Sequence, residues 1–339
     1  MKATACSWTG RSVESGKRRA HQAGAALLTA MLTVAMVASL ASGALWQQWR
    51  SVEIESAERA RVQSLWLLTG ALDWARLILR EDSRSASGAD YLSEPWAVPL
   101  EEARLSTFLA ADKNAQPDDD AGASQTFLSG QITDLQGRLN VTNLVDANGK
   151  VSEPWVKAFA KLFQMLSLPP AELLMLAENL RMAMDPSPES ADSQQAPLMP
   201  QRLDQLVWLG LSERSLGALR PYITLLPERT KVNLNTASAT VLSACIPSLD
   251  MAQAQRLVNL RQTSHFKALA DAATQIGQMA EPLSDAQYSI GSRFFEIQGR
   301  LRLDQTVVEE RSVVMRNGLD VKTLWRDRGS LRREPSPLQ

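Results

Sequence analysis

Cysteine is scarce in this chain: 339 residues hold two, Cys6 and Cys245. Cys6 lies in a basic stretch at the start, and once that stretch is removed Cys245 has no partner within the chain. A disulfide framework and a cysteine metal site are thereby excluded. Histidine is equally rare, with His21 in the same stretch and His265 in a segment of helical spacing, so each reads as structural or solvated. No P-loop, GxSxG or HExxH is found. Positive charge is not in excess either. With 36 Lys and Arg against 37 Asp and Glu the net charge is −1, and the basic footprint of a nucleic-acid module is missing. A hydrophobic content of 45% is too low for a multi-span membrane protein. The length instead suits two folded units plus an anchor.

Charge is absent where it matters most. Between Arg19 and Arg50 there is no Asp, Glu, Lys or Arg. The run Ala25–Trp46, AALLTAMLTVAMVASLASGALW, would form a helix of about 33 Å, enough to cross a bilayer core. Lys17, Arg18 and Arg19 flank one end, and Trp46 and Trp49 the other. The basic cluster places the N-terminus in the cytoplasm and the main body outside. Three readings are open: a plain signal anchor, a secretory signal cut near Ala41-Ser42-Gly43, and a prepilin signal. The third fits best, because a hydrophilic leader, KRRAHQAG, ends at Gly24 and the apolar helix starts at Ala25. Gly24 suits a peptidase that must approach the backbone closely.

The helical pattern does not stop at Trp46. Leu65, Leu68, Leu72, Ala75 and Leu79 recur at 3-4-3-4 spacing, and proline is absent from Ala25 to Tyr91. One helix from about residue 25 to about residue 80 would be roughly 84 Å long; two separate helices are the alternative. Further on, Glu94–Leu100 reads as a short strand between prolines, and Asn114–Ser124, with Asp118, Asp119 and Asp120, as a polar loop. FLSGQITDLQGRLNVTNL alternates as a hairpin turning at Gln136-Gly137. From Trp155 to Ile290 the spacing is helical, interrupted by the loop Asp185–Pro200, and the tail FFEIQGRLRL, TVVEERSVVMRN and VKTLWRD alternates again. The fold class expected is α+β: a long N-terminal transmembrane helix, an antiparallel sheet and a large inserted all-α domain.

AGAALLTAM at the leader junction, ITDLQGRLNVTNL, KVNLNTASATVL and the closing RFFEIQGRLRL…LWRDRG together resemble the type II secretion system protein K family, minor pseudopilins. The resemblance covers most of the chain. It implies a pilin-like sheet with the α-domain inserted, and division into leader 1–24, membrane helix 25–46, periplasmic helix and first strands 47–145, inserted α-domain 146–290 and closing strands 291–339. It also implies cleavage between Gly24 and Ala25 by prepilin peptidase, N-methylation of Ala25, an inner-membrane anchor, and assembly with the I and J minor pseudopilins and the major pseudopilin. Counting Ala25 as the first mature residue, the fifth is Thr29, where most pilins carry a glutamate that neutralises a neighbour's N-terminal amine. Threonine cannot cancel a buried ammonium. The K family also lacks that glutamate and sits at the pseudopilus tip, where no subunit lies ahead of it. The alternatives are a type IV pilus minor pilin or a signal-anchored periplasmic binding protein; an enzyme is not expected.

VNLNTASATVLSACIPSLDMAQAQRLVNLRQ is similar to a helix-hairpin-helix (SAM-like) unit, but its hairpin Ile246–Asp250 has an acid and no glycine, so nucleic-acid binding is not expected. Asn233, Asn235 and Thr236 are expected to cap and brace the helix that follows. Asn140-Val141-Thr142 matches a glycosylation sequon but reads more simply as turn and strand. Calcium is implied by the resemblance alone. The matching loop keeps Asp185, Glu189 and Asp192 without glycines or dense acids, a poor set for an ion wanting six to eight oxygens.

Overall fold

The computed structural model describes residues 16–85, 88–104, 126–185, 196–276, 283–303 and 306–329. Two units divide at Val62 and Gln63. Helix α1, Gly16–Ser85, is a single uninterrupted element, which settles the choice between one helix and two. Within the first unit its residues from Gly24 to Arg59 are exposed, Leu28, Met31, Leu32, Met36 and Leu40 among them. Among the described residues α1 is the one helix long and apolar enough to cross a membrane. Hydroxyls that would be costly in an apolar setting are turned inward: Thr33 and Ser39 donate to the carbonyls of Ala30 and Ala35, both at 2.9 Å.

In the second unit, Leu68, Leu72, Ala75 and Leu79 of α1 are buried on one stripe. They lie against a five-stranded sheet, ordered β1 (Leu100–Arg104), β2 (Thr126–Asp134), β7 (Phe294–Leu303), β8 (Thr306–Asn317) and β9 (Asp320–Arg328). Every neighbouring pair is antiparallel. Gly299 makes the close approach possible, since a Cβ there would come 2.7 Å from Leu68 Cδ1. Trp96, Phe295, Ile297, Val314 and Val321 complete this core, each large apolar group contributing roughly 1.5–3 kcal/mol.

The chain leaves the sheet at Asp134 and returns at Phe294. Asp134 is the register partner of Phe295, so the excursion begins and ends at one spot and strains neither strand. Within it run β3 (Leu139–Asn140), α2 (Glu153–Met165), α3 (Pro170–Met184), α4 (Glu213–Leu219), β4 (Ile223–Thr224), β5 (Val232–Asn233), α5 (Ala239–Cys245), α6 (Met251–Thr263), α7 (Leu269–Ile276) and β6 (Tyr288–Ser289). Phe159, Leu162, Phe163, Leu176, Leu180, Leu206, Leu219 and Leu242 fill its core. Leu139, Val141 and Leu144 belong to the same core, so packing with the helices starts before residue 146.

Three local expectations are corrected. Glu94–Leu100 is not a strand: Pro95–Ala97 form a 3-10 turn, because the Glu94 carboxylate gathers the Tyr91 N–H and the Trp96 indole N–H. FLSGQITDLQGRLNVTNL is not a hairpin: β2 pairs with β7, and β3 pairs in parallel with β4. Gln136 and Gly137 sit in a buried 3-10 turn instead. LDQLVWLGL is 3-10 over Leu203–Leu209 and stops at Gly210, whose φ of 101° a side chain would resist. The loop with Asp118, Asp119 and Asp120, and residues 186–195 with Glu189 and Asp192, lie outside the described residues.

Candidate functional site

The first candidate is the start of the apolar helix. Gly24, Ala25 and Thr29 all lie in α1 and are exposed. The Thr29 hydroxyl is within hydrogen-bonding distance of its own helix's carbonyls, Ala25 at 3.1 Å and Ala26 at 2.9 Å. It is therefore a neutral group turned back on its own backbone.

The second is a buried polar clasp between the sheet and the inserted helices. Asn233 lies in β5 with no exposed surface. Its amide nitrogen reaches the Asp90 carbonyl at 3.1 Å, Asp134 Oδ2 at 3.1 Å and Ser292 Oγ at 2.9 Å, while its oxygen accepts the Asn235 N–H. Asp134, at the end of β2, also accepts from Thr236 Oγ1, Ser292 Oγ and the Gln136 N–H. No ion pair reaches Asp134 among the described residues, and burial pushes its carboxyl up to about 6 against those hydrogen bonds. Gln136 bridges the Lys231 carbonyl and the Arg293 N–H. Asn140 holds the Glu228 carbonyl and Leu226 N–H, and Asn143 exchanges two bonds with the Thr230 backbone. Gly137 permits the contact, since a Cβ would meet Thr236 Oγ1 at 2.9 Å and its backbone at 3.1 Å.

ITDLQGRLNVTNL and KVNLNTASATVL are thus two halves of one interlock. Asn233, Asn235 and Thr236 do not cap the next helix, which is the correction here. Ser238 caps α5, accepting the Val241 N–H, while Asn235 ties the Phe266 backbone by two 2.9 Å bonds. The density of Asn, Asp and Thr in both stretches was the available signal. Asn140 is wholly buried and engaged, as befits a structural residue rather than a glycan acceptor.

The remaining candidates resolve locally. Asp250 of the expected hairpin caps α6 in a reciprocal box with Gln253. His265 stacks on Tyr91, ring centroids 3.7 Å apart. Cys245 is buried, and burial pushes its thiol up to about 12. Asp185 is exposed beside a cleft of about 380 Å³ that it shares with Asp146, Arg181 and Arg229. Of the three loop acids weighed for calcium, only Asp185 falls among the described residues.

A long apolar N-terminal helix, an antiparallel sheet over its second stretch and a helical block let into that sheet define a pilin-like α+β subunit. Family models described as type II secretion system protein K match residues 137–228 and 232–291. The type II secretion system protein K of Pseudomonas aeruginosa is 28% identical over 300 residues, covering 82% of this chain and 84% of that one. That of Pectobacterium carotovorum subsp. carotovorum is 23% identical, covering 93% and 98%. The fold is similar to a chain in the crystal structure of the GspK-GspI-GspJ complex of the enterotoxigenic Escherichia coli type 2 secretion system, with TM-score 0.58, 18% identity, and 81% and 98% of the two chains covered. The chain is thus similar to type II secretion system protein K both in its helical block and over most of its length.

Proposed function

We propose that this chain is a minor pseudopilin of a type II secretion system, placed at the pseudopilus tip and acting structurally, not as an enzyme, in export across the outer membrane. The observation that carries this reading is where the likeness falls. Both matched stretches, 137–228 and 232–291, lie in the helical block between β2 and β7. A block of that size crowds whatever stands above it, which favours the end of a filament.

The apolar start of α1 supplies the means of assembly, packing among like helices in lipid or in a filament core. In this reading prepilin peptidase cuts between Gly24 and Ala25, Ala25 is N-methylated, the leader stays cytoplasmic and the sheet-bearing unit is periplasmic, anchored in the inner membrane. Thr29, uncharged and bonded to its own helix, neutralises no neighbouring ammonium. Partners of the I and J types follow by analogy with the related complex, with the major pseudopilin below them. Mass spectrometry of the purified protein tests this: methylated Ala25 is the expected N-terminus. An intact leader, or a start near Ala44 or Leu45, would overturn it.

A further inference from the structure

Where α1 ends, the structure gathers more buried negative charge than it balances. Asp82 of α1 and Asp90 and Glu94 of the following loop bring carboxylate oxygens within 4.8 Å of one another. Arg316 of β8 answers them, donating to Asp82 Oδ2 at 2.7 Å, to Asp90 Oδ1, and to the Ser292 carbonyl at 3.0 Å. Among the described residues no ion pair reaches Glu94. Its Oε2 accepts the Trp96 indole N–H at 2.7 Å and the Tyr91 N–H at 3.0 Å. Asp134 of β2 adds a further buried acid beyond Asp90. Three carboxylates thus crowd one guanidinium that pairs with only two of them, and carboxylates this close do not all ionise cheaply.

We propose that the cluster is a proton-operated latch: a proton held by Glu94 against Asp82 and Asp90 keeps the Pro95–Ala97 turn closed on α1, and its loss frees that turn. Neutral Glu94 can donate to one of the two aspartates while Oε2 keeps the Trp96 indole in place. Trp96 is the part that moves. It packs edge-on to Phe295, ring centroids 5.2 Å apart, and walls a cleft of about 300 Å³ with Trp74, Leu77 and Ile78 on one side and Glu81 and Asp82 at its polar edge. Ionised Glu94 repels both aspartates, so release widens the cleft and bares an apolar strip of α1.

Burial, the largest cause, holds the Glu94 carboxyl up to about 7, from an ordinary 4.5. The closed form therefore binds the proton more tightly than the open one. The latch is complete below about 4.5 and weakens as pH rises through about 7, by about tenfold per pH unit in that interval. Asp134, raised to about 6, shifts stability in the same direction, so the test must single out Glu94.

Hydrogen–deuterium exchange of the full chain in detergent micelles, corrected for intrinsic exchange, does so at pH 5.5 and 8.0. Peptides covering residues 88–100 are expected to lose about tenfold or more of their protection at the higher pH, and Glu94→Gln to abolish that loss. Protection unchanged in the wild type, or lost equally in the Gln variant, overturns the latch. Should Glu94→Gln not fold, Asp82→Asn removes one repelling charge and is expected to move the transition to lower pH; an unmoved transition counts against the proposal.

Discussion

Asn233 ties together the Asp90 carbonyl, the Asp134 carboxylate and the Ser292 hydroxyl, groups 143, 99 and 59 positions away along the chain. Truncation to alanine would leave those acceptors and the Asn235 N–H short of partners in a site closed to water. Asn233→Ala is therefore expected to lower the unfolding free energy by about 2–4 kcal/mol, read from urea denaturation. A loss under about 0.5 kcal/mol would show that water or a neighbour takes over. The sequence marked Asn233 and Asn235 as polar bracing, but it assigned them to the next helix because local capping is all that spacing can reveal. Ser238 fills that role. Asp134 and Glu94 were not legible at all, since a raised carboxyl is a property of burial and burial was unknown.

Elements with a strong internal period were legible, and those held by distant partners were not. The stripe Leu68, Leu72, Ala75 and Leu79 marked the buried side of α1, and the alternating tail marked β7, β8 and β9. ITDLQGRLNVTNL alternated like a hairpin yet pairs elsewhere, because its polar side chains have partners near residues 226–236. Two glycines test what decides an element's tolerance. Gly137 lies against Thr236, where an added Cβ has backbone 3.1 Å away. Gly217, inside α4, has nothing within 4 Å. Gly137→Ala is expected to destabilise by about 1–3 kcal/mol, and Gly217→Ala to stabilise by about 0.5–1 kcal/mol. Equal thermal shifts for the two would refute the argument.

At the scale of the molecule, the stripe that α1 contributes to the sheet-bearing unit begins at Leu68, inside the unit that starts at Gln63. A chain starting at Gln63 keeps every residue of that stripe. It is expected to remain in solution without detergent and to unfold at the denaturant midpoint of the full chain in micelles. A midpoint lower by more than about 1 M urea would mean that residues 24–62 support the fold.

The sequence by itself determined the apolar helix and the α+β order with a helical block inside a sheet. Those features are written in local composition and period, which need no partner to be read. Only the tertiary structure decided that β2 and β7 are neighbours across the insertion, that two separate motifs form one clasp, and that Asp82, Asp90 and Glu94 are gathered beside Arg316, which pairs with the two aspartates. Each depends on residues far apart in the chain being brought into a space without water. There an unpaired hydrogen bond or an unshared charge costs enough to govern the outcome.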